Sequence, residues 1–463
     1  MSGPASGPAL PDGLLLSFYG DDYTGSSAVM EVMSFAGLPT VLFLQPPTAD
    51  DLSRFAGYRG IGIAGTARSR SPGWMDEHLP PIFRTLARLG APIAHYKVCS
   101  TFDSSPETGS IGRAIDLAAP LLGGAWHPLL VAAPELGRCQ VFGNLFAVAE
   151  GRFHRLDRHP TMSRHPVTPM READARLHLA RQTARRIGLI DFLALRSGGD
   201  RRLAEAIGAG EEIIAIDALD EETLAEAGGL IWRNRGRRLL AIGSQGVEYA
   251  LVAHWRASGL LPASAPAPHA APMGRIAAVS ASCAPVTAQQ IRQAERENFS
   301  TLRIDPALAV DEAAWERELD RAARLGLAAL AAGRGALAFT ALGPDDPAIA
   351  ATRAAIASSG ARTESVNERI GAGLGRLLDR LMREGGVSRG VIAGGDTSGH
   401  AAQALGIRAL TALAPIAPGA PLCNAHGEHK GAQRRELIFK GGQMGAPDFF
   451  RAAMRGTAAA RAA

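Results

Sequence analysis

LLLSFYGDDYTGSSAVMEV, residues 14–32, is the stretch that decides the fold. Residues 14–19 read as an apolar strand. From residue 26 to 36, Ala28, Val29, Val32, Met33 and Ala36 recur at helical spacing. Gly37 closes that helix, Pro39 follows, and TVLFL (40–44) is the next strand. Strand, helix, strand is a βαβ unit, which calls for a parallel sheet with a right-handed crossover. The same grammar recurs in GIGIAGTARS (60–69), PIAHYKVCSTFDSS (92–105), PLLVAAPELGR (128–138), EEIIAIDALD (211–220) and RRLLAIGSQGVEYALVAHW (237–255). The expected fold class is α/β, with mainly parallel, Rossmann-like three-layer domains.

Ligands of such folds bind at the junction between a strand end and the next helix. Here that junction carries two adjacent acids, Asp21 and Asp22. Phosphate loops present backbone N–H groups and avoid negative side chains, so this loop suits another ligand.

At 463 residues the chain exceeds one ordinary core, and two domains are expected. A hydrophobic content of 46% with 20% charged residues describes a soluble globular protein. The net charge of +4 is modest and the basic residues are scattered; RNRGRR (233–238) reads as solvated surface. With 15 Phe, 5 Tyr and 5 Trp there is little aromatic material for base stacking, so no nucleic-acid partner is expected. Cys99, Cys139, Cys283 and Cys423 lie far apart with no zinc spacing, which fits reduced thiols in a cytoplasmic protein. The N-terminal MSGPASGPALPDG has neither a basic nor an apolar signal region. The most apolar window, 325–342, is interrupted by Gly333, Arg334 and Gly335, which makes it a helix–turn–strand and not a membrane span.

The proline-rich GLLPASAPAPHAAPMG (259–274) breaks the βα rhythm and reads as a linker between residues 12–258 and 275–463. In the second domain, GVIAGGDTSG (390–399) is a strand entering a loop with Gly394, Gly395 and Gly399, followed by a helix from His400. Adjacent glycines let a backbone approach a ligand, and Thr397 and Ser398 can cap the helix or donate to a phosphate. FKGGQMG (439–445) sets Lys440 beside Gly441, Gly442 and Gly445, either as a phosphate contact or as a lysine-flanked turn. APIAPGAPLC (414–423) between them reads as a proline-stiffened loop. GAGLG (371–375) lies inside a helical pattern, where it serves close helix packing better than dinucleotide binding. A Walker lysine motif does not occur.

GDDYTG, KVCSTFDSS, RHPVTPM, SASCAPVTAQQ, AGGDTSG, APIAPGAPLC and KGGQMG occur in an order that resembles the four-carbon acid sugar kinase family. The resemblance spans nearly the whole chain. It implies two α/β domains, the first binding a small acid sugar and the second ATP, with catalysis in the cleft between them. It implies MgATP and substrates such as threonate, erythronate, 3-oxo-tetronates or the branched 3-oxo-isoapionate, and leaves a homodimer open as the assembly. Carried over by motif, the nucleotide contacts fall on Ser282, Gly394, Gly395, Asp396, Thr397 and Gly442. The chain departs from the family where Gly-Ser-x-Ser is usual: it has Ala281, Ser282, Cys283 and Ala284.

A polyhydroxy acid offers hydroxyl donors, and Asp21 and Asp22 are natural acceptors. Either aspartate could also simply cap the following helix. Arg68, Lys97, Arg164 and His165, at strand ends or in loops, are candidates to hold the substrate carboxylate. Asp396 and Asp22 are the candidates for the catalytic base, with Asp396 leaning to a catalytic or metal-linked role and Asp22 to the substrate. Two other readings compete: a non-catalytic sugar-acid sensor, and a Rossmann-type oxidoreductase. The latter needs G-x-G-x-x-G after its first strand, where this chain has GDDYTG.

Overall fold

The computed structural model describes residues 9–165, 167–263, 267–394, 396–427 and 435–458, with the backbone alone for 396–398. It forms two compact units, Met1–Val41 with Pro46–Pro266, and Leu42–Gln45 with Ala267–Ala463.

The first unit contains β1 (Leu16–Gly20), β2 (Thr40–Phe43), β3 (Gly60–Ala64), β4 (Ile93–Lys97), β5 (His127–Leu130), β6 (Arg138–Val141), β7 (Asn144–Ala149), β8 (Arg152–Arg155), β9 (Ile187–Ile190), β10 (Ile213–Ile216) and β11 (Leu239–Gly243). Its main sheet runs β2-β3-β1-β4-β11-β5-β10-β9. β1 pairs in parallel with β3 and β4, and β11 with β4 and β5. β1, β3, β4 and β11 are buried along their whole length, as expected of strands covered by helices on both faces. The chain goes from β1 outward to β2, back through β3, then across to the far side of β1 as β4. That reversal makes the carboxyl ends of β1 and β4 the topological switch point, where open α/β sheets bind ligands. The sequence reading did not anticipate the small antiparallel sheet β6-β7-β8 inserted after β5.

The second unit contains β12 (Ala277–Ser280), β13 (Phe299–Arg303), β14 (Gly335–Phe339), β15 (Arg389–Ala393), β16 (Ile407–Ala417), β17 (Ala420–Gly427) and β18 (Arg435–Lys440), in the order β13-β14-β12-β15-β18-β17-β16. It repeats the outward, back and across path, with β12 and β15 flanking the reversal. The residues after β12 and β15 are therefore the second unit's switch point. Leu42–Gln45, the end of β2 and the two residues after it, belong to this unit: the Leu44 amide donates to the Arg408 carbonyl at 2.9 Å.

Two local expectations are corrected. Residues 414–423 are not a loop but the turn of the antiparallel hairpin β16–β17. Gly419 takes φ +76° in the tight turn, Pro418 sits in that turn, and Pro415 lies at the register shift between Ala414 and Ala417, where its missing N–H group is tolerated. The helix after β15 begins at Asp396 and not at His400, which shortens the glycine loop. The GAGLG stretch does lie inside a helix, Thr363–Glu384. A Cβ on Gly373 would strike Trp315, and one on Gly375 the Ala401 backbone, so these glycines permit close packing of neighbouring helices.

Candidate functional site

At the first unit's switch point the register sets Gly20 beside Lys97, and the Asp21 amide donates to the Lys97 carbonyl at 3.0 Å. The helix Tyr23–Phe35 starts at once. Asp22 is its N-cap, with Oδ1 accepting from the Gly25 amide at 3.0 Å. Asp22 is thus a cap and more than a cap. The same Oδ1 accepts from the Arg68 guanidinium at 3.0 Å and lies 3.8 Å from Lys97 Nζ, while Oδ2 takes part in none of these contacts. Gly25 has to be glycine here: a Cβ would overlap both Lys97 Nζ and Asp22 Oδ1.

Asp21 is buried and committed to Arg68, whose Nη2 and Nε reach its two oxygens at 2.9 and 3.3 Å. This bidentate fork sets the Arg68 guanidinium against Asp22. Burial raises the Asp21 carboxyl to about 6, with Arg68 opposing and Asp22 adding to the rise. For Arg68, burial pulls downward, but Asp21 and Asp22 outweigh it and hold the guanidinium well above its ordinary value. Arg68 is therefore a permanently charged bridge between the two acids.

Lys97 differs. Its side chain is 3% exposed, yet among the described residues its ammonium makes no hydrogen bond, only the 3.8 Å approach to Asp22. Three donors held at the edge of a buried site without an acceptor are costly unless an anion arrives.

Sequence reasoning missed Asp103, although KVCSTFDSS displays it. Phe102, buried and held at φ +54°, turns the chain there, a conformation that costs a non-glycine residue roughly 1–2 kcal/mol. Burial pushes the Asp103 carboxyl up, but Arg68, the Thr101 hydroxyl and His165 outweigh this and hold it below the usual carboxylate range. His165 enters the cluster through that charge. Its Nδ1 accepts from the Thr168 amide at 3.1 Å. Arg164 is exposed and makes no hydrogen bond to any of these groups among the described residues. The structure thus joins Asp21, Asp22, Arg68 and Lys97 by close approach, links Asp103 and His165 to Arg68 and to each other through charge, and leaves Arg164 out.

In the second unit, the segments following β12, β15 and β18 converge. The Ala281 amide donates to the Ala393 carbonyl at 3.0 Å, and the Gly394 amide to the Lys440 carbonyl at 2.9 Å. Ser282 Oγ accepts from the Ala284 amide at 3.2 Å, and a Cβ on Gly442 would come within 2.6 Å of that Oγ. Gly395 lies outside the described residues, as do the side chains of Asp396 and Thr397. Lys440, a candidate phosphate contact, is instead fully buried and hydrogen-bonded to protein oxygens. Beside the Ser282 loop, a cavity of about 480 Å³ is lined by Pro285, Ala288, Arg292, Leu342 and Pro344 among others. No cluster of three or more His, Cys, Asp or Glu able to hold a metal occurs among the described residues.

An acid-and-cation site at one switch point and glycine loops at the other define a two-domain ligand-binding protein. Residues 16–251 match the sugar-binding N-terminal domain family, and residues 277–450 the nucleotide-binding C-terminal domain family. The chain is 50% identical over 443 residues to the 3-oxo-isoapionate kinase of Paraburkholderia graminis, covering 96% of this chain and 94% of that one. It is 31% identical to the 3-oxo-tetronate kinase of Methylobacterium radiotolerans, covering 94% and 98%. Among solved structures it resembles a Salmonella typhimurium LT2 protein described as a tRNA synthase, with a TM-score of 0.76, 26% identity and coverage of 96% and 99%. The chain belongs to the four-carbon acid sugar kinase family, and it is an acid sugar kinase.

Proposed function

We propose that the chain transfers the γ-phosphoryl group of MgATP to a hydroxyl of 3-oxo-isoapionate, with residues 12–258 holding the sugar acid and residues 275–463 the nucleotide. The substrate identity follows the P. graminis relative, which is far more similar than the 3-oxo-tetronate kinases at 28–31%.

The observation that carries the site assignment is Lys97, a buried side chain whose ammonium makes no hydrogen bond among the described residues. The substrate carboxylate supplies an acceptor. Asp22 Oδ2 accepts a substrate hydroxyl, Asp21 holds Arg68 in place, and Asp103 and His165 add their charges to the site. Arg164, exposed in the free protein, has no part in this set.

On the nucleotide side, the proposed contacts are Ser282, Gly394, Gly395, Thr397 and Gly442, and the cavity beside Pro285 and Ala288 receives the base. Asp396 is the residue that would hold a magnesium ion, which would offset the charge of the triphosphate, or that would take the proton. In the step itself the acceptor oxygen forms a bond to Pγ, the bond from Pγ to the bridging β–γ oxygen breaks, and ADP leaves. The hydroxyl proton goes to a carboxylate, Asp396 or Asp22. Such transfers depend mainly on positioning and charge neutralisation. A cytoplasmic location, with its supply of ATP, goes with this reading.

A coupled ADP assay with 3-oxo-isoapionate, the 3-oxo-tetronates, threonate and erythronate tests this. The highest kcat/KM is expected for 3-oxo-isoapionate. A preference of tenfold or more for an unbranched tetronate would refute the substrate, and no ADP from any of them would refute the kinase reading of the sites.

A further inference from the structure

Lys440 ends β18 with its side chain fully buried, and it forms no ion pair among the described residues. Its Nζ donates to Thr287 Oγ1 at 2.9 Å and to the Gly441 carbonyl at 2.9 Å, and lies 3.4 Å from the Gly442 carbonyl. Thr287 Oγ1 in turn donates to the Gly442 carbonyl at 2.7 Å. One turn further along the helix Pro285–Arg296, Gln290 Nε2 lies 2.9 to 3.0 Å from the carbonyls of Met444, Gly445 and Ala446. Apart from Thr287 Oγ1, every one of these acceptors is a main-chain oxygen of the loop after β18.

The consequence follows from peptide geometry. In a trans peptide the carbonyl of one residue and the N–H of the next point in opposite directions. With the carbonyls of Gly441, Gly442, Met444 and Gly445 drawn inward, the N–H groups of Gly442, Gln443, Gly445 and Ala446 face away from the three side chains. None of those four N–H groups donates to another group among the described residues, whereas the Met444 amide is taken by the Gly441 carbonyl at 3.2 Å. Outward-facing successive N–H groups form a concavity suited to an anion. Gly442 abuts Ser282, so this row borders the segment after β12.

We propose that Lys440, Thr287 and Gln290 form an internal clamp that fixes the 441–446 loop with its carbonyls inward and its N–H groups outward, as a cradle for the nucleotide's polyphosphate. Lys440 and its two partners are positioning residues and touch no phosphate. The inference rests on the nucleotide reading of this unit. Burial lowers the Lys440 ammonium to about 7, a cost that a helix turn or apolar residue would avoid. Holding several carbonyls at once is what a lysine with three donors does and an apolar side chain cannot.

The test compares inhibition by ADP and by adenosine, both competing with ATP, in the intact enzyme and in Thr287→Val, Thr287→Ser and Gln290→Leu. Valine keeps the shape of threonine and loses both hydrogen bonds. The Ki of ADP should rise about tenfold or more in Thr287→Val and Gln290→Leu, with the Ki of adenosine and the KM of the sugar acid within twofold. Thr287→Ser should restore ADP to within about twofold of the parent. An unchanged ADP Ki in both apolar variants overturns the clamp, as do equal losses for ADP and adenosine, or serine behaving as valine. These outcomes leave the kinase reading standing; that reading fails separately, if the parent protein neither turns over ATP nor is inhibited by ADP.

Discussion

Replacing Lys97 with Met keeps the length and apolar stem of the side chain and removes the ammonium. In the free protein two opposing terms are lost together. One is the desolvation penalty of a buried ion, several kcal/mol after relaxation. The other is attraction to Asp22 Oδ1 at 3.8 Å, about 4 kcal/mol at an effective dielectric constant near 20. They nearly cancel, and Asp22 keeps its bonds from Arg68 and the Gly25 amide. The stability of Lys97→Met should therefore stay within about 1 kcal/mol of the parent, a Tm shift of about 2–4 °C. Binding has no such cancellation. A substrate carboxylate loses one or two charge-assisted hydrogen bonds, about 3 kcal/mol in all, or roughly 150-fold in Kd. Calorimetric titration of the sugar acid without ATP, beside thermal unfolding of the same samples, reads both numbers. A Tm fall of more than about 10 °C with Kd within twofold of the parent would mean that Lys97 is a structural cation and that the carboxylate binds elsewhere.

Asp22→Asn retains the helix cap but weakens acceptance of a substrate hydroxyl, so sugar-acid Kd should rise about ten- to a hundredfold; Asp396→Asn should depress kcat with sugar affinity within twofold. If the effects are exchanged between the two variants, the assignment of substrate and transfer roles is reversed. Gly25→Ala forces Lys97 and Asp22 apart, and should cost about 1 kcal/mol of stability together with a large rise in sugar KM, measured by thermal unfolding and steady-state kinetics. Lys440 makes stability depend on pH. Its folded-state value, about 7, lies below the unfolded value near 10.4, so between these the unfolded chain binds the extra proton and stability rises with pH. Relative to Lys440→Met, the parent protein should gain about 1 kcal/mol or more from pH 7 to pH 9 in denaturant titrations; a flat or falling difference would show that the ammonium is well solvated.

The parallel α/β architecture was legible because βαβ units announce themselves locally: an apolar run, a small or polar turn, then helical periodicity, as in residues 14–44. The pair Asp21 and Asp22 was legible for the same reason, since a strand end fixes where a loop lies. What the pair does was not. That Asp21 serves Arg68 while Asp22 both caps the helix and faces a cation depends on residues 46 positions and more apart. The β16–β17 hairpin was hidden because its prolines read as loop residues, although one lies at a bulge and another in the tight turn, and bulges leave no local signature. Asp103 went unnoticed because nothing local tells a functional acid from a turn acid; the φ of Phe102 that aims it exists only in the folded chain. Lys440 misled by its neighbours. A lysine among glycines suggests an exposed phosphate contact, but the in-and-out alternation of β18 turns this one into the interior, toward Thr287. In APVTAQQ, the three-residue spacing of Thr287 and Gln290 put both on one helix face, the one available sign of the clamp.

Phosphorus NMR of a mixture of the protein, MgATP and 3-oxo-isoapionate tests the central claim most directly. Acid sugar phosphorylation predicts a new phosphomonoester resonance coupled to carbon-bound protons, growing one-for-one with ADP and absent when the sugar acid or the protein is omitted. ADP accompanied only by inorganic phosphate, or no loss of ATP at all, would contradict it.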